Sequence, residues 1–306
     1  MSLKELIHNV RPVLTRFRCY KLNVAGSSFS YFADDKFTLI EAKFPINNAL
    51  ENEMRLCGVY RIDNLHITSW DQDHCDLNSL TRILEQFKPK KIEYPGYTPE
   101  TSGAKACLKK IQEYEKEQKE LKKSIKVISI TPDYIKNLNP AEAYAYKNVL
   151  FHPKATWPKA NDNSTVKFFR VGMFNVLSLG DVENEKIGAT IKNSKKAKET
   201  DVLILPHHGA SGGILTKDFL RTIKPQVAVC SSNYGNQYDH PCQEVKNLLY
   251  DMDIPLFTTK KSNILIKSLG NHVADFQVTR VNSENNEQNI PDKKVLFRSK
   301  KYNKLK

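Results

Sequence analysis

Four strand-like runs in this chain each lead to a carboxylate or a histidine, and that pattern limits its fold more than any other feature. Residues 62–69 run into Asp71-Gln72-Asp73-His74, and residues 174–179 into Gly180-Asp181. Val202-Leu203-Ile204-Leu205 leads to His207-His208-Gly209. Val227-Ala228-Val229-Cys230 leads, past Asn233, Gly235 and Asn236, to Tyr238-Asp239-His240-Pro241. Strand ends on one edge of a sheet collect in one place, so side chains far apart in sequence are expected to meet there.

The remaining pattern supplies the layers. Strands are predicted at 19–24, 28–32 and 37–42, then at 91–94, 127–130, 148–151 and within 164–179. Leu80, Ile83, Leu84 and Phe87 recur at helical spacing, which predicts a helix over 77–87. A long charged helix is predicted over 104–124, and further helices over 184–198 and 243–252. Strand runs interleave with helices, and each half of the chain repeats the arrangement. The expected fold class is α/β, a four-layer αββα sandwich.

Charge separates the end of the chain from the rest. The net formal charge is +13, and residues 293–306 carry seven basic residues and no acidic one. The expected organisation is one hydrolase domain over 1–281 followed by a polar, then basic tail over 282–306. Lys293, Lys294, Arg298, Lys300 and Lys301 are candidate nucleic-acid contacts. The tail also holds Leu296, Phe297 and Tyr302, so it can neutralise phosphates, lie on an anionic membrane, or serve as a solvated extension. No run of 18 apolar residues is present, so no transmembrane segment is expected. The start has no apolar export signal, and six cysteines lack paired spacing, which together lead us to expect a cytoplasmic protein with reduced thiols.

The loop Asp71-Gln72-Asp73-His74 has two readings when taken by itself. Converging carboxylates repel unless a cation neutralises them, so the cluster suits a divalent metal. Alternatively, Asp71 or Asp73 caps the helix that starts near Leu77. The ordered set of strand ends favours the metal.

On these motifs the chain resembles the metallo-β-lactamase superfamily, and within it the ComEC-type hydrolase domain. The family loop His-x-Asp-x-Asp-His aligns with Ser69-Trp70-Asp71-Gln72-Asp73-His74. Asn163-Ser164-Thr165-Val166 resembles the family's Asn-x-Ser-x-Val strand start, and Leu179-Gly180-Asp181 its Thr-Gly-Asp. Residues 205–211 resemble Lys-x-x-His-His-Gly-Ser. Tyr238-Asp239-His240-Pro241 resembles the late Tyr-Gly-His-Pro. The match runs over about residues 19–270. It departs at Ser69, where the family has histidine, at Trp70 for proline, at Cys75-Asp76 for Gly-Gly, and at Glu41 for an early aspartate.

The resemblance implies a metallo-β-lactamase fold and phosphodiester hydrolysis by metal-activated water, with DNA or another nucleic acid as substrate and partner. It implies Asp71, Asp73, His74, Asp181, His207 and His240 as metal ligands, with Asp181 bridging. Asp73, Asp181 and His240 are the implied catalytic residues, and His208, Ser69, Asn163 and Ser164 the implied substrate contacts. Two divalent ions, zinc or manganese, are implied, or one because Ser69 replaces a histidine. A lactone or thioester hydrolase, and a binding protein without catalysis, are the alternatives.

Overall fold

A computed structural model describes residues 14–138, 148–270, 275–282 and 295–300. Its first half contains strands β1 (Arg16–Cys19), β2 (Phe29–Ala33), β3 (Lys36–Ile40), β4 (Asn64–His66), β5 (Lys91–Pro95) and β6 (Lys126–Ile130). Between and after them come helices α1 (Ala49–Leu56), α2 (Leu77–Phe87), α3 (Ser102–Glu120) and α4 (Pro132–Lys136). The second half holds β7 (Val149–His152), β8 (Val166–Phe169), β9 (Val176–Ser178), β10 (Val202–Ile204), β11 (Val227–Cys230) and β12 (Leu256–Thr258). Helices α5 (Glu185–Lys192), α6 (Lys217–Ile223) and α7 (Gln243–Asp251) belong to this half. Strands β13 (Asn263–Ser268), β14 (Asp275–Val281) and β15 (Val295–Arg298) complete the fold.

The strands form two sheets, in the orders β15-β14-β13-β1-β2-β3-β4-β5-β6 and β12-β11-β10-β9-β8-β7. In each sheet antiparallel strands give way to a parallel set, β3 to β6 in one and β9 to β12 in the other. Phe17, Phe29, Tyr31 and Ile266 from the first sheet pack with Phe169, Phe174, Val202 and Val229 from the second to fill the space between them. Each side chain buried there contributes about 1.5–3 kcal/mol. The outer face of the first sheet is covered by α1, α2 and α3, through Leu50, Ile83, Leu84 and Ile111. The outer face of the second is covered by α5, α6 and α7, through Ile187, Phe219 and Leu249. This is the expected four-layer αββα sandwich.

Residues 295–298 are part of the sheet. Although 282–306 reads as a tail, Val295–Arg298 pairs antiparallel with β14, and Phe297 stacks on Phe276 at 5.3 Å. Ser299 Oγ and the Lys300 amide then donate to the buried Asp201 carboxylate at 2.7 and 2.9 Å. The Lys300 ammonium donates to the Ile223 carbonyl at 2.8 Å, and burial pulls its pKa down to about 8. Lys300 is therefore tied into the fold rather than presented to a polyanion. The Arg298 carbonyl accepts from Gln226 Nε2 at 2.7 Å. Lys293, Lys294 and Lys301 lie outside the described residues. All six cysteines are free thiols. Among the described residues no helix is long and apolar enough to cross a membrane.

Candidate metal centre

The parallel strands of both sheets carry their following loops to one edge, as open α/β sheets do. Residues 71–75 make a tight turn in which the Asp71 carbonyl accepts from the His74 and Cys75 amides, both at 2.9 Å. Lys43 braces this turn, donating to the Gln72 carbonyl at 3.2 Å and pairing with Asp76 at 3.0 Å. Gly26, with φ +141°, passes so close that a Cβ there would sit 2.6 Å from the Asp73 carbonyl oxygen. Only glycine suits that approach. The cap of α2 is Asp76, whose carboxylate accepts from the Ser79 amide at 3.0 Å. That disposes of Asp71 or Asp73 as the cap.

Asp73, His74 and His208 offer ligand atoms that all lie within 4.8 Å of one another. His74 is buried, with Nε2 2.8 Å from Asp181 Oδ2 and 4.0 Å from Asp73 Oδ1. Behind it, Nδ1 lies 3.2 Å from Glu41 Oε1 and 3.3 Å from Thr68 Oγ1. Glu41 is itself fixed by the Thr68 amide and hydroxyl, which donate to it at 3.0 and 2.6 Å. A carboxylate behind an imidazole sets ring orientation and basicity, the arrangement found behind metal-ligating histidines. His208 is held at Nδ1 by the Ser231 carbonyl and directs Nε2 to Asp73 Oδ2, both at 2.9 Å.

The charges show what the site requires. Burial disfavours a charged His74, but Asp181 and Glu41 outweigh it and raise its pKa well above the usual value. At His208 burial is likewise outweighed, by the hydrogen bond to Asp73 and the charge of Asp181. Burial raises the carboxyls of Asp73 and Asp181, yet the neighbouring imidazoles bring both below the ordinary range. Asp71 goes the other way, pushed up by burial and by repulsion from Asp181. The two imidazoles supply positive charge to this group of carboxylates, and a divalent cation would serve the same purpose. Two atoms support the fit. His74 Nε2 is close to Asp181 but outside hydrogen-bond geometry, and Asp181 Oδ1 is buried without a hydrogen-bond partner. Leaving such atoms unpaired costs stability, and a metal ion would satisfy both.

The two adjacent histidines lie in different surroundings. His207 and His208 are consecutive left-handed residues, φ 44° and 52°, a conformation uncommon outside glycine. Their rings part company: His208 enters the cluster, whereas His207 Nδ1 lies 2.7 Å from Glu183 Oε1, with its ring 6.0 Å from that of His240. The group that meets Asp73 and His74 therefore contains His208, not the His207 implied by the motif. His240 is clamped by Asn236, whose side chain accepts from the His240 amide at 2.7 Å and donates to its carbonyl at 2.9 Å. Its Nδ1 is buried without a hydrogen bond, and burial together with His207 and His208 lowers its pKa.

The implied substrate contacts divide. Ser69 is buried beside Asp71, its Oγ donating to Asp71 Oδ2 at 3.2 Å and lying 3.2 Å from the Tyr97 hydroxyl. Asn163 turns away: its amide bonds the Trp157 amide and carbonyl and the Lys159 carbonyl at 2.8, 2.8 and 3.0 Å. It shapes the loop before β8 rather than facing the site. Ser164 is buried against Gly180, whose Cβ position is 3.0 Å from Ser164 Cβ, and its Oγ has no hydrogen-bond partner. Two residues escaped the sequence reading. Tyr97 follows Pro95-Gly96 with no pattern to mark it. Glu183 lies two residues beyond Asp181, and only that proximity could have signalled it.

Over 226 residues the chain is 26% identical to ComE operon protein 3 of Bacillus subtilis, and over 234 residues 26% identical to the competence protein ComA of Neisseria gonorrhoeae. These matches cover 72% and 74% of this chain. The chain resembles ComEC-type proteins, and its four-layer αββα sandwich is the arrangement expected from that resemblance. It spans only 26% and 28% of the length of those two relatives. Among solved structures it is similar to Igni18, a metallo hydrolase from Ignicoccus hospitalis, at 11% identity and a TM-score of 0.46, covering 94% of this chain and 100% of that one. It is also similar to a diphosphatase of the PhnP family, at 12% identity and a TM-score of 0.40, covering 83% and 98%. No family model matches. The residues present suit a divalent metal ion.

Proposed function

We propose that this chain is a metal-dependent phosphodiesterase whose substrate is a nucleic acid. The observation that carries the reading is the convergence of Asp73, His74 and His208 on one point, with Asp181 against His74 and buried ligand atoms left without hydrogen bonds. Bound divalent ions would acidify a water and neutralise the oxygens of an in-line displacement. The oxygen-rich set suits manganese as well as zinc.

The protein's own residues have distinct tasks in this reading. Asp73, His74, Asp181 and His208 are the ligands, and Glu41 and the Ser231 carbonyl hold the two imidazoles in orientation. Asp71 extends the set toward a second ion, with Ser69 Oγ as its hydrogen-bond donor. His207, with Nδ1 2.7 Å from Glu183 Oε1, faces the substrate. His240, on its clamped loop, closes the site as a further ligand or as a donor to the leaving oxygen. The net charge of +13 favours a polyanion, and the kinship with competence proteins favours DNA. The free thiols accord with a cytoplasmic location, which is part of the proposal.

The test is digestion of plasmid, linear and single-stranded DNA with Mn²⁺, Zn²⁺ and Mg²⁺ in parallel, beside hydrolysis of a lactone. Metal-dependent cleavage of DNA is expected, reduced at least about 100-fold by Asp181→Ala, more than loss of an outer-shell partner costs. Lactone turnover without diester cleavage, or an Asp181→Ala protein that cleaves at the full rate, would overturn the proposal.

A further inference from the structure

We infer that Tyr238 is a stacking platform for a nucleobase adjoining the scissile phosphate; this deepens the phosphodiesterase reading and rests on it. The loop after β11 carries Tyr238 two residues before His240. Its ring lies 5.6 Å from the His240 ring, at an interplanar angle of 22°. The residue is 68% exposed, so the stack on His240 leaves most of its surface open to solvent. Single exposed aromatic residues are ordinary on protein surfaces. This one differs because it is stacked on a side chain of the candidate centre, so whatever covers it lies beside the reacting bond.

The loop that presents Tyr238 is braced. Asn236 bonds both the amide and the carbonyl of His240, and its Nδ2 also donates to the Asn233 carbonyl at 3.1 Å. Ser232 at the loop base accepts from Thr259 Oγ1 and donates its amide to it, at 3.2 and 3.0 Å. A second exposed tyrosine, Tyr234, stands on the same loop.

The exposed face decides the kind of group that fits. Asp239, next to Tyr238, lies 3.8 Å from Lys260 Nζ, so the carboxylate beside the ring is matched by a cation and Tyr238 itself offers an aromatic surface. That surface suits a planar, neutral ring attached within a nucleotide of the phosphate, because every base presents a π-face. Stacking of that kind tolerates any base but requires it to be unpaired. The substrate class is therefore a single strand, or a duplex end whose terminal base has opened.

The test compares two single-stranded oligonucleotides, one of thymidines and one in which the nucleotides flanking the cleavage position are abasic, with Mn²⁺ as the metal. For the wild-type chain and Tyr238→Phe, KM for the abasic strand is expected to exceed KM for the thymidine strand by about tenfold, in the range that stacking one base supplies. In Tyr238→Ala that ratio should fall to about one. If both strands are cleaved with equal KM by the wild-type chain, or Tyr238→Ala retains the tenfold ratio, the platform is wrong while the phosphodiesterase reading stands. If the wild-type chain cleaves neither strand, the phosphodiesterase reading has failed and the platform falls with it.

Discussion

At position 69 a hydroxyl stands where the family loop that this chain resembles has an imidazole, and Tyr97 packs beside it. The Tyr97 hydroxyl lies 3.2 Å from Ser69 Oγ and accepts from the Trp70 amide at 2.9 Å. Trp70 Nε1 in turn donates to the Tyr97 carbonyl at 3.0 Å. Tyr97 fills space that a larger side chain at 69 would need. Ser69→His should therefore not restore a metal ligand by itself. It is expected to lower stability by roughly 1–3 kcal/mol through overpacking, as measured by urea unfolding. An unchanged midpoint together with tighter Mn²⁺ binding would show that the position has room and faces the metal. The departure at Ser69 was legible in the sequence. Its partner was not, because Tyr97 meets the loop only through the pairing of β4 with β5.

At the scale of elements, local patterns were readable and distant pairings were not. The run of apolar residues over 77–87 matches α2 to the residue, and the long charged helix is present over Ser102–Glu120. Short α1, α4 and α6 carry too few turns to show a period. The outer strands β13 to β15 depend on partners far away in sequence: β13 pairs with β1, with Lys267 opposite Arg16. Nothing local in residues 295–298 announces a strand among so many cations, yet β15 holds Phe297 on Phe276 and leads to the Asp201 latch. Asp201 is buried and also accepts from the Asn175 amide at 2.9 Å and Gln226 Nε2 at 2.7 Å. Deleting residues 295–306 should thus cost the fold roughly 3 kcal/mol or more, from exposed apolar surface and a buried carboxylate with fewer donors. Thermal unfolding measures this. A truncated chain with the full melting temperature, changed only in its salt-dependent affinity for DNA, would show that the segment is a tail after all.

At the scale of the whole molecule, the centre is assembled from both halves of the sandwich. The loop after β4 supplies Asp73 and His74, and the ends of β9 and β10 supply Asp181 and His208. Tyr31 against Phe169, at 5.3 Å between ring centroids, is one of the contacts that fix the two sheets face to face. Strand ends bearing ligand-type residues announced such an edge in the sequence. Which of two adjacent histidines enters it depends on two left-handed backbone conformations, and those are invisible in a motif. The most direct measurement is titration calorimetry of the wild-type chain, His208→Ala and His207→Ala with Mn²⁺. The account predicts that His208→Ala weakens binding at least about tenfold, while His207→Ala binds as the wild type does. Loss of binding in His207→Ala with His208→Ala unaffected would contradict it.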